Sequence, residues 1–233
     1  VEVLRHLAGP AGLVVTDEAP CLSDWGHDVR PDYRRIRTLL TDLPAGIPVL
    51  ATTATANARV TADVAEQLQI ADSEKVLVLR GTLDRESLHL GVVKLPDQPS
   101  RLAWLAQHLP ELPGSGIIYC LTVAATEQVA DFLRSNGFQV AAYSGQTEQS
   151  DRLQAEEDLL NNRVKALIAT SALGMGFDKP DLGFVVHLGA PNSPIAYYQQ
   201  VGRAGRGVDR APVVRLPGKE DQDIWSYFGS LAF

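Results

Sequence analysis

The sequence predicts an α/β fold in which parallel sheets are flanked by helices. Two observations support this: short apolar runs alternate with longer helical stretches, and most of the runs are continuously apolar, as in strands buried on both faces. Such strands are expected at Leu13–Thr16, Val49–Thr52, Val76–Leu79, Val92–Leu95, Gly116–Cys120, Val140–Tyr143, Ala166–Ala169, Phe184–Leu188 and Pro212–Leu216.

Helices are predicted between the strands from apolar spacing and from capping residues. Asp32–Leu43 carries apolar residues at helical intervals. Asn57 is a good N-cap for a helix over Ala58–Gln69, and Thr122 is one for a helix over Val123–Ser135. In open α/β sheets, function gathers in the loops at the carboxyl ends of the strands. The residues that follow each strand are therefore the first candidates for chemistry.

Composition and charge limit the expected partners. Of the 233 residues, 45% are hydrophobic and 21% are charged, as in an ordinary packed α/β protein. The net charge of −7 repels nucleic acid, so any contact with DNA is expected to be local. No apolar run approaches the ~18 residues of a membrane span, so no membrane contact is expected. Cys21 and Cys120 form no C-x-x-C pair, which predicts reduced thiols and no zinc.

The chain is predicted to divide near residue 90. Residues 1–90 contain three strand candidates and two helical patterns, and residues 91–233 contain enough elements for a second sheet. The segment Pro96–Pro99 indicates a turn or hinge rather than a long linker.

The first chemical candidate is a pair of acids. Asp17 and Glu18 follow the apolar run Val14–Thr16, which is the layout of a Walker B site. In that layout Asp17 holds Mg²⁺, generally through water, while Glu18 orients and deprotonates the attacking water. Acids that cap a strand at the surface fit the same pattern, so the pair alone does not decide the function.

An aromatic-rich loop over Cys21–Tyr33 follows the acids. Trp25 can stack on an unpaired base and Arg30 can pair with a phosphate, with His27 close by. A Trp packed beside a hydrogen-bonded histidine is the alternative. The elements Trp-Gly-His-Asp and Arg-Pro-x-Tyr in this loop resemble RecQ-family helicases, in which the loop senses single-stranded DNA and couples it to ATP hydrolysis.

The sequence departs from the family pattern at two positions. Pro20 stands where the family has a histidine, and it removes a backbone donor and a side chain able to bridge two lobes. Val29 stands where the family usually has an aromatic residue, and it removes one stacking surface. Both changes bear on the coupling of hydrolysis to DNA.

Further family motifs follow in the family's order. Thr53–Thr55 resembles motif III, Ile117–Thr122 resembles motif IV, and Tyr143–Gly145 resembles the DNA-backbone segment after it. Thr170–Pro180 resembles motif V, whose glycines let backbone amides approach a phosphate while Asp178 reaches the nucleotide.

The segment Tyr197–Arg206 resembles helicase motif VI. Arg203 and Arg206 are three residues apart, which predicts one helical face with two guanidiniums reaching into a cleft between lobes. The family pattern implies Arg206 as the arginine finger that neutralises charge on the transferring phosphoryl group, and Arg203 as its neighbour on the phosphates. Two solvated arginines in a turn are the alternative.

The resemblance implies a fold, an activity and a set of ligands. The fold is two RecA-like lobes, the first truncated at its N-terminus, and the activity is 3′-to-5′ DNA unwinding driven by ATP with Mg²⁺. The partners are single-stranded and partially duplex DNA, and a cytoplasmic, nucleoid-associated protein is expected. The implied catalytic residues are Asp17, Glu18, Gln199, Arg203 and Arg206; the implied nucleotide-binding residues are Asp17, Gly174, Gly176, Asp178, Arg203 and Arg206; the implied DNA-binding residues are Trp25, His27, Arg30, Thr122, Ser144, Gly145 and Thr170.

One motif that a nucleotide motor needs does not occur in these 233 residues. No G-x-x-x-x-G-K-S/T is present, and Lys219, the one lysine that follows a glycine, is followed by Glu220. The resemblance puts this P-loop N-terminal to the acid pair, so the polypeptide alone is expected to be inactive and prone to associate. The alternatives are a non-catalytic nucleic-acid-binding remnant, an RNA-remodelling helicase and, more remotely, a small-molecule α/β enzyme.

Overall fold

The computed structural model describes residues 11–18, 47–54, 57–68, 76–173 and 177–230. The chain divides into two compact units, Val1–Thr82 and Leu83–Phe233. Each unit is described by itself.

The first unit contains a parallel strand pair and a helix. Strands β1 (Val14–Thr16) and β2 (Val49–Ala51) run in the same direction, with Val14 opposite Val49. Helix α1 (Ala58–Leu68) follows β2. Asn57 caps this helix as predicted, since its side-chain oxygen accepts from the backbone N–H of Val60 at 2.9 Å.

The second unit is built on a parallel six-stranded sheet with the spatial order β3-β8-β7-β4-β6-β5. Three of the four inner strands, β4, β6 and β7, are buried along their whole length, which is why their sequences are almost entirely apolar. The strands are β3 (Leu88–Val92), β4 (Gly116–Cys120), β5 (Val140–Tyr143), β6 (Ala166–Ala169), β7 (Phe184–Leu188) and β8 (Ala211–Leu216).

Helices connect these strands and pack an apolar core against the sheet. One cluster includes Leu105, Leu133 and Phe184, and a second includes Leu159, Leu167 and Val213. The helices are α2 (Gln98–His108), α3 (Val123–Ser135), α4 (Gln149–Leu160), α5 (Pro194–Val201) and α6 (Asp221–Ser230).

The predicted strands are confirmed to the residue for β4 to β7 and to within one residue for β1, β2 and β8, while two predictions differ. No strand forms over Val76–Leu79, and the strand expected at Val92–Leu95 lies earlier, at Leu88–Val92. Strand pairing explains the difference. Leu88 lies opposite Ala211, so pairing with β8 determines which segment forms the strand. An apolar pattern does not encode the register of that pairing. A division at residue 90 would cut this strand, whereas the units divide after Thr82. The helix predicted over Asp32–Leu43 lies outside the described residues.

In the part of the chain that the structure describes, no helix has the length and apolar character needed to cross a membrane.

Candidate functional site

The acid pair of the first unit lies at the carboxyl end of β1, next to the end of β2. Asp17 Oδ1 accepts a hydrogen bond from the Thr52 hydroxyl at 2.7 Å and another from the backbone N–H of Glu18 at 2.9 Å. The Thr52 backbone N–H donates to the Thr16 carbonyl at 2.9 Å, which holds the two strand ends in register. The carboxylate is therefore held by two hydrogen bonds, one from a side chain and one from the backbone.

These hydrogen bonds lower the pKa of Asp17, with the Thr52 hydroxyl as the larger cause and the Glu18 N–H as the next. Asp17 is exposed, and Glu18 has φ of 53°, in the left-handed region that few residues other than glycine adopt. One exposed, ionised carboxylate suits Mg²⁺, which keeps most of its water and takes one or two protein carboxylates. Among the described residues, no three His, Cys, Asp or Glu side chains form a denser metal-binding group.

Thr52 lies within the run Ala51–Asn57 that resembles motif III, but the sequence reasoning gave it no contact with the acid pair. The motif III pattern centres on Thr53–Thr55, whereas the hydroxyl that contacts Asp17 belongs to the residue before it. Parallel pairing of β1 with β2 is the signal that would have found it, because it puts the residues after each strand side by side. Thr55 and the whole aromatic-rich loop, including Pro20, Trp25, His27, Val29 and Arg30, lie outside the described residues.

In the second unit, three hydroxyl side chains follow three neighbouring strands. Thr122 follows β4, Ser144 follows β5 and Thr170 follows β6, and these strands are adjacent in the order β4-β6-β5. The carboxyl ends of parallel strands lie on one edge of a sheet, so the three predicted DNA-binding residues share that edge.

Each of these hydroxyls also shapes its own turn. Thr122 caps α3 by accepting from Ala125 N–H at 3.1 Å, and Thr170 accepts from Ala172 N–H at 3.3 Å. Ser144 is buried and accepts from Gln146 N–H at 3.2 Å, which leaves the neighbouring Gly145 exposed. The hydroxyls are therefore acceptors within their own turns, and of the four predicted positions only Gly145 is exposed.

The three-residue spacing predicted that the two motif VI arginines lie on one helical face, and this prediction is wrong. Helix α5 ends at Val201 with Gly202 as its C-cap, and both Arg203 and Arg206 lie in the turn that follows. Gly205 has φ of 67°, a left-handed value that interrupts a right-handed helix. Gln199 is on α5 itself and is exposed.

The side chain of Arg203 bridges the two ends of the motif V glycine segment. Its Nη1 donates to the Phe177 carbonyl at 3.0 Å and its Nη2 donates to the Leu173 carbonyl at 3.1 Å. The intervening Gly174 and Gly176 lie outside the described residues. Arg203 is thus engaged with backbone of its own unit, which differs from the alternative of a solvated arginine in a turn.

Arg206 makes a more exposed contact with motif V. Its Nη1 donates to Asp178 Oδ1 at 2.9 Å, and its Nε donates to the Gly202 carbonyl at 3.1 Å. Motifs V and VI are therefore joined by both arginines, one through backbone carbonyls and one through a carboxylate.

A buried polar cluster behind α5 was not anticipated. The His187 ring stacks on Tyr119 with centroids 5.3 Å apart, packs against Tyr197 at 5.1 Å, and contacts Gln200 Oε1 through Nε2 at 2.8 Å. Burial, with a smaller contribution from the charge of Arg215, lowers the pKa of His187 to about 4 against the opposing effect of the hydrogen bond to Gln200. Burial likewise raises the pKa of Tyr119 to about 12. Both side chains are therefore neutral at pH 7.

The known proteins that this chain resembles in sequence are helicases. A family model described as helicase conserved C-terminal domain matches residues 100–208. The RecQ-like DNA helicase BLM of Xenopus laevis is 39% identical over 198 residues, which are 82% of this chain and 14% of that protein. The probable ATP-dependent DNA helicase RecS of Bacillus subtilis is 36% identical over 90% of this chain and 42% of its own length. This chain therefore spans well under half of these relatives.

Solved structures give the same fold at lower identity. Saccharomyces cerevisiae Dbp5 bound to RNA and ADP BeF3 matches with a TM-score of 0.68 at 20% identity, over 98% of this chain and 60% of that chain. Mycobacterium smegmatis helicase Lhr bound to ssDNA and AMP-PNP matches with a TM-score of 0.65 at 20% identity, over 94% of this chain and 32% of that chain. The parallel, helix-flanked sheets are those of RecA-like helicase lobes.

Proposed function

Because this chain belongs to the RecQ-like helicases, we propose that it forms part of an ATP-dependent motor that unwinds DNA in the 3′-to-5′ direction. The observation that carries the proposal is that both motif VI arginines contact motif V. Arg203 donates to the Leu173 and Phe177 carbonyls, and Arg206 donates to the Asp178 carboxylate. A nucleotide motor needs a cation near the transferring phosphoryl group that can exchange partners, and half-exposed Arg206 meets that need.

In this proposal the residues of the first unit handle the metal and the water. Asp17, kept ionised by Thr52, would hold Mg²⁺ through water, and the ion would supply positive charge to the phosphates. Glu18 accepts the proton of the attacking water. Arg206 exchanges the Asp178 carboxylate for the phosphoryl oxygens as the arginine finger, while Gln199 and Arg203 support the same turn.

DNA is proposed to bind along the strand-end edge that carries Thr122, Ser144, Gly145 and Thr170. Backbone N–H groups and hydroxyls suit a phosphate backbone, and they need no basic surface, which agrees with the net charge of −7. Single-stranded and partially duplex DNA are the proposed partners, in a nucleoid-associated protein.

The test compares two polypeptides, because these 233 residues contain no P-loop. DNA-stimulated ATP hydrolysis is measured for the chain alone and for a version extended upstream to include a P-loop. We expect no hydrolysis from the first and stimulation of the second by single-stranded DNA. Arg206→Gln should lower kcat of the extended version by about 10³-fold. Arg134→Gln on α3 is the matched control and should leave kcat unchanged.

A second candidate function is a non-catalytic nucleic-acid-binding module. The departures from the family pattern at Pro20 and Val29 favour it. It predicts that the extended version binds single-stranded DNA yet hydrolyses no ATP in its presence. An RNA-directed role is separated by competition, since one relative is named a putative ATP-dependent RNA helicase. An RNA-remodelling motor would bind RNA in preference to DNA of the same sequence.

A further inference from the structure

The turn that carries the motif VI arginines is fastened at both ends by side chains from a segment that no motif includes. Arg85 Nη1 donates to the Gly202 carbonyl at 2.7 Å, and Ser87 Oγ donates to the Gly205 carbonyl at 2.7 Å. These two acceptors bracket Arg203, and the second directly precedes Arg206. Both donors lie within the second unit, just after it begins at Leu83.

The first of these bonds satisfies the end of α5. Gly202 is the C-cap of that helix, where carbonyl groups lack intrahelical partners and a cation is favourable. The Gly202 carbonyl also accepts from Arg206 Nε at 3.1 Å. One oxygen atom therefore links Arg85 to the proposed finger, so the position of Arg85 bears directly on that of Arg206.

The second bond depends on a glycine. Gly205 has φ of 67°, and a Cβ atom at this position would lie 2.7 Å from Ser87 Oγ and 3.1 Å from Leu88 Cδ2. The turn is therefore pressed against the start of β3, and only a residue without a side chain allows the approach.

The fastening segment is itself rigid. Leu88 N–H donates to the Arg85 carbonyl at 3.0 Å, and Ala211 N–H donates to the Ser87 carbonyl at 2.7 Å. Arg85 and Ser87 thus lie just before β3, and these backbone hydrogen bonds connect them to the start of the β3–β8 ladder.

We infer that Arg85 and Ser87 are positioning residues that hold the motif VI turn so that Arg206 faces its anionic partner. The inference rests on the proposed function for the role of Arg206, while the fastening of the turn stands on geometry. Neither residue contacts the reacting atoms. Loss of either is expected to loosen the turn and lower turnover, with ATP binding largely retained.

The direct test is hydrogen exchange measured by mass spectrometry on the 233-residue chain. Arg85→Gln and Ser87→Ala should each raise exchange of the amides from Gly202 to Gly207 by about tenfold, because one bond to a carbonyl is lost. Arg85→Lys keeps a donor for the Gly202 carbonyl and should restore protection. Arg134→Gln and Ser135→Ala are matched controls, since both side chains donate to backbone carbonyls elsewhere.

Each outcome decides the matter. If Arg85→Gln leaves exchange in the turn at the level of Arg134→Gln, the inference is overturned. If Arg85→Gln also raises exchange in β4 and β6, then the unit has unfolded and Ser87→Ala decides. A rise confined to the turn supports the inference, and an unchanged turn refutes it.

ATP hydrolysis by the version that includes a P-loop provides a second test of the inference. Arg85→Gln should lower kcat about tenfold while the KM for ATP changes less than about twofold, and Arg85→Lys should recover most of the loss. If Arg85→Gln lowered kcat through a general folding defect, Arg85→Lys would not restore kcat. If the parent protein hydrolyses no ATP, the proposed function fails, whereas hydrogen exchange still tests the fastening of the turn.

Discussion

Arg206 and Asp178 form an ion pair, with Nη1 and Oδ1 2.9 Å apart, that joins the turn after α5 to the segment after the motif V glycines. The side chains are 49% and 54% exposed, so water screens the attraction and two flexible side chains must be ordered. The pair consequently contributes little to folding. Arg206 can exchange Asp178 for another anion at small cost.

Asp178→Asn is therefore expected to change the free energy of unfolding by less than about 1 kcal/mol. Urea unfolding followed by circular dichroism measures the change. A loss above about 2 kcal/mol would mean that the pair is structural rather than exchangeable.

Arg203→Gln is expected to destabilise the second unit by about 2–4 kcal/mol, because two bonds from a charged donor to the Leu173 and Phe177 carbonyls are lost. Arg203→Lys should recover little, since one ammonium does not reproduce the two-pronged guanidinium. The same urea titration measures both variants, with Arg134→Gln as control. Recovery by lysine would contradict the bridging role.

Gly205→Ala is expected to destabilise by at least about 1–2 kcal/mol, because φ of 67° is strained for alanine and the new methyl would meet Ser87 Oγ. Gly145→Ala is the matched control, since a Cβ there has no atom within 4 Å. Melting temperatures of the two variants test the difference. Equal melting temperatures would show that the turn shifts to accept a side chain.

Thr52→Val is expected to raise the pKa of Asp17 toward its ordinary value, because the hydroxyl that stabilises the carboxylate is the first cause of the lowered pKa. The ¹³C chemical shift of the Asp17 carboxyl group, titrated by NMR, gives the pKa. Thr61→Val is the control, since that hydroxyl donates to the Asn57 carbonyl in α1. An unchanged pKa in Thr52→Val would remove Thr52 from the site.

Acid should destabilise the second unit through His187. The unfolded imidazole gains a proton near pH 6.5, while the buried folded one remains neutral until about pH 4, so the unfolded state binds more protons between these values. The free energy of unfolding is expected to fall as the pH drops through this window, by up to about 3 kcal/mol. His187→Gln should flatten that part of the curve, and Arg134→Gln should not. Parallel curves for wild type and His187→Gln would refute the assignment.

How far the sequence predicts the fold depends on burial. Strands β4 to β7 are predicted to the residue. β4, β6 and β7 are inner strands that are buried on both faces and therefore rich in apolar residues, whereas β5 lies at the edge of the sheet and is partly buried. The exposed run at Val76–Leu79 has the same appearance and forms no strand, with Leu77 79% exposed and Leu79 85% exposed. Composition does not distinguish a strand from an apolar segment that lacks a partner.

Prediction of the candidate site was likewise limited to what local sequence patterns record. The sequence alone proposed Asp17, Asp178, Arg203 and Arg206 as site residues, because short motifs carry the residue types that the chemistry requires. It did not identify Thr52, Arg85 or Ser87, whose importance comes from hydrogen bonds to residues 35, 117 and 118 positions away. It also assigned the arginines to a helical face, whereas Gly202 and Gly205 end the helix before them.

The sequence by itself determined the order of the motifs, the parallel sheets and the kind of chemistry, because local patterns record burial and residue type. Only the tertiary structure decided which carbonyl each arginine contacts and which hydroxyl holds the acid. Those contacts depend on strand register and on backbone geometry at single glycines, and both are set by packing between segments that are distant in the chain.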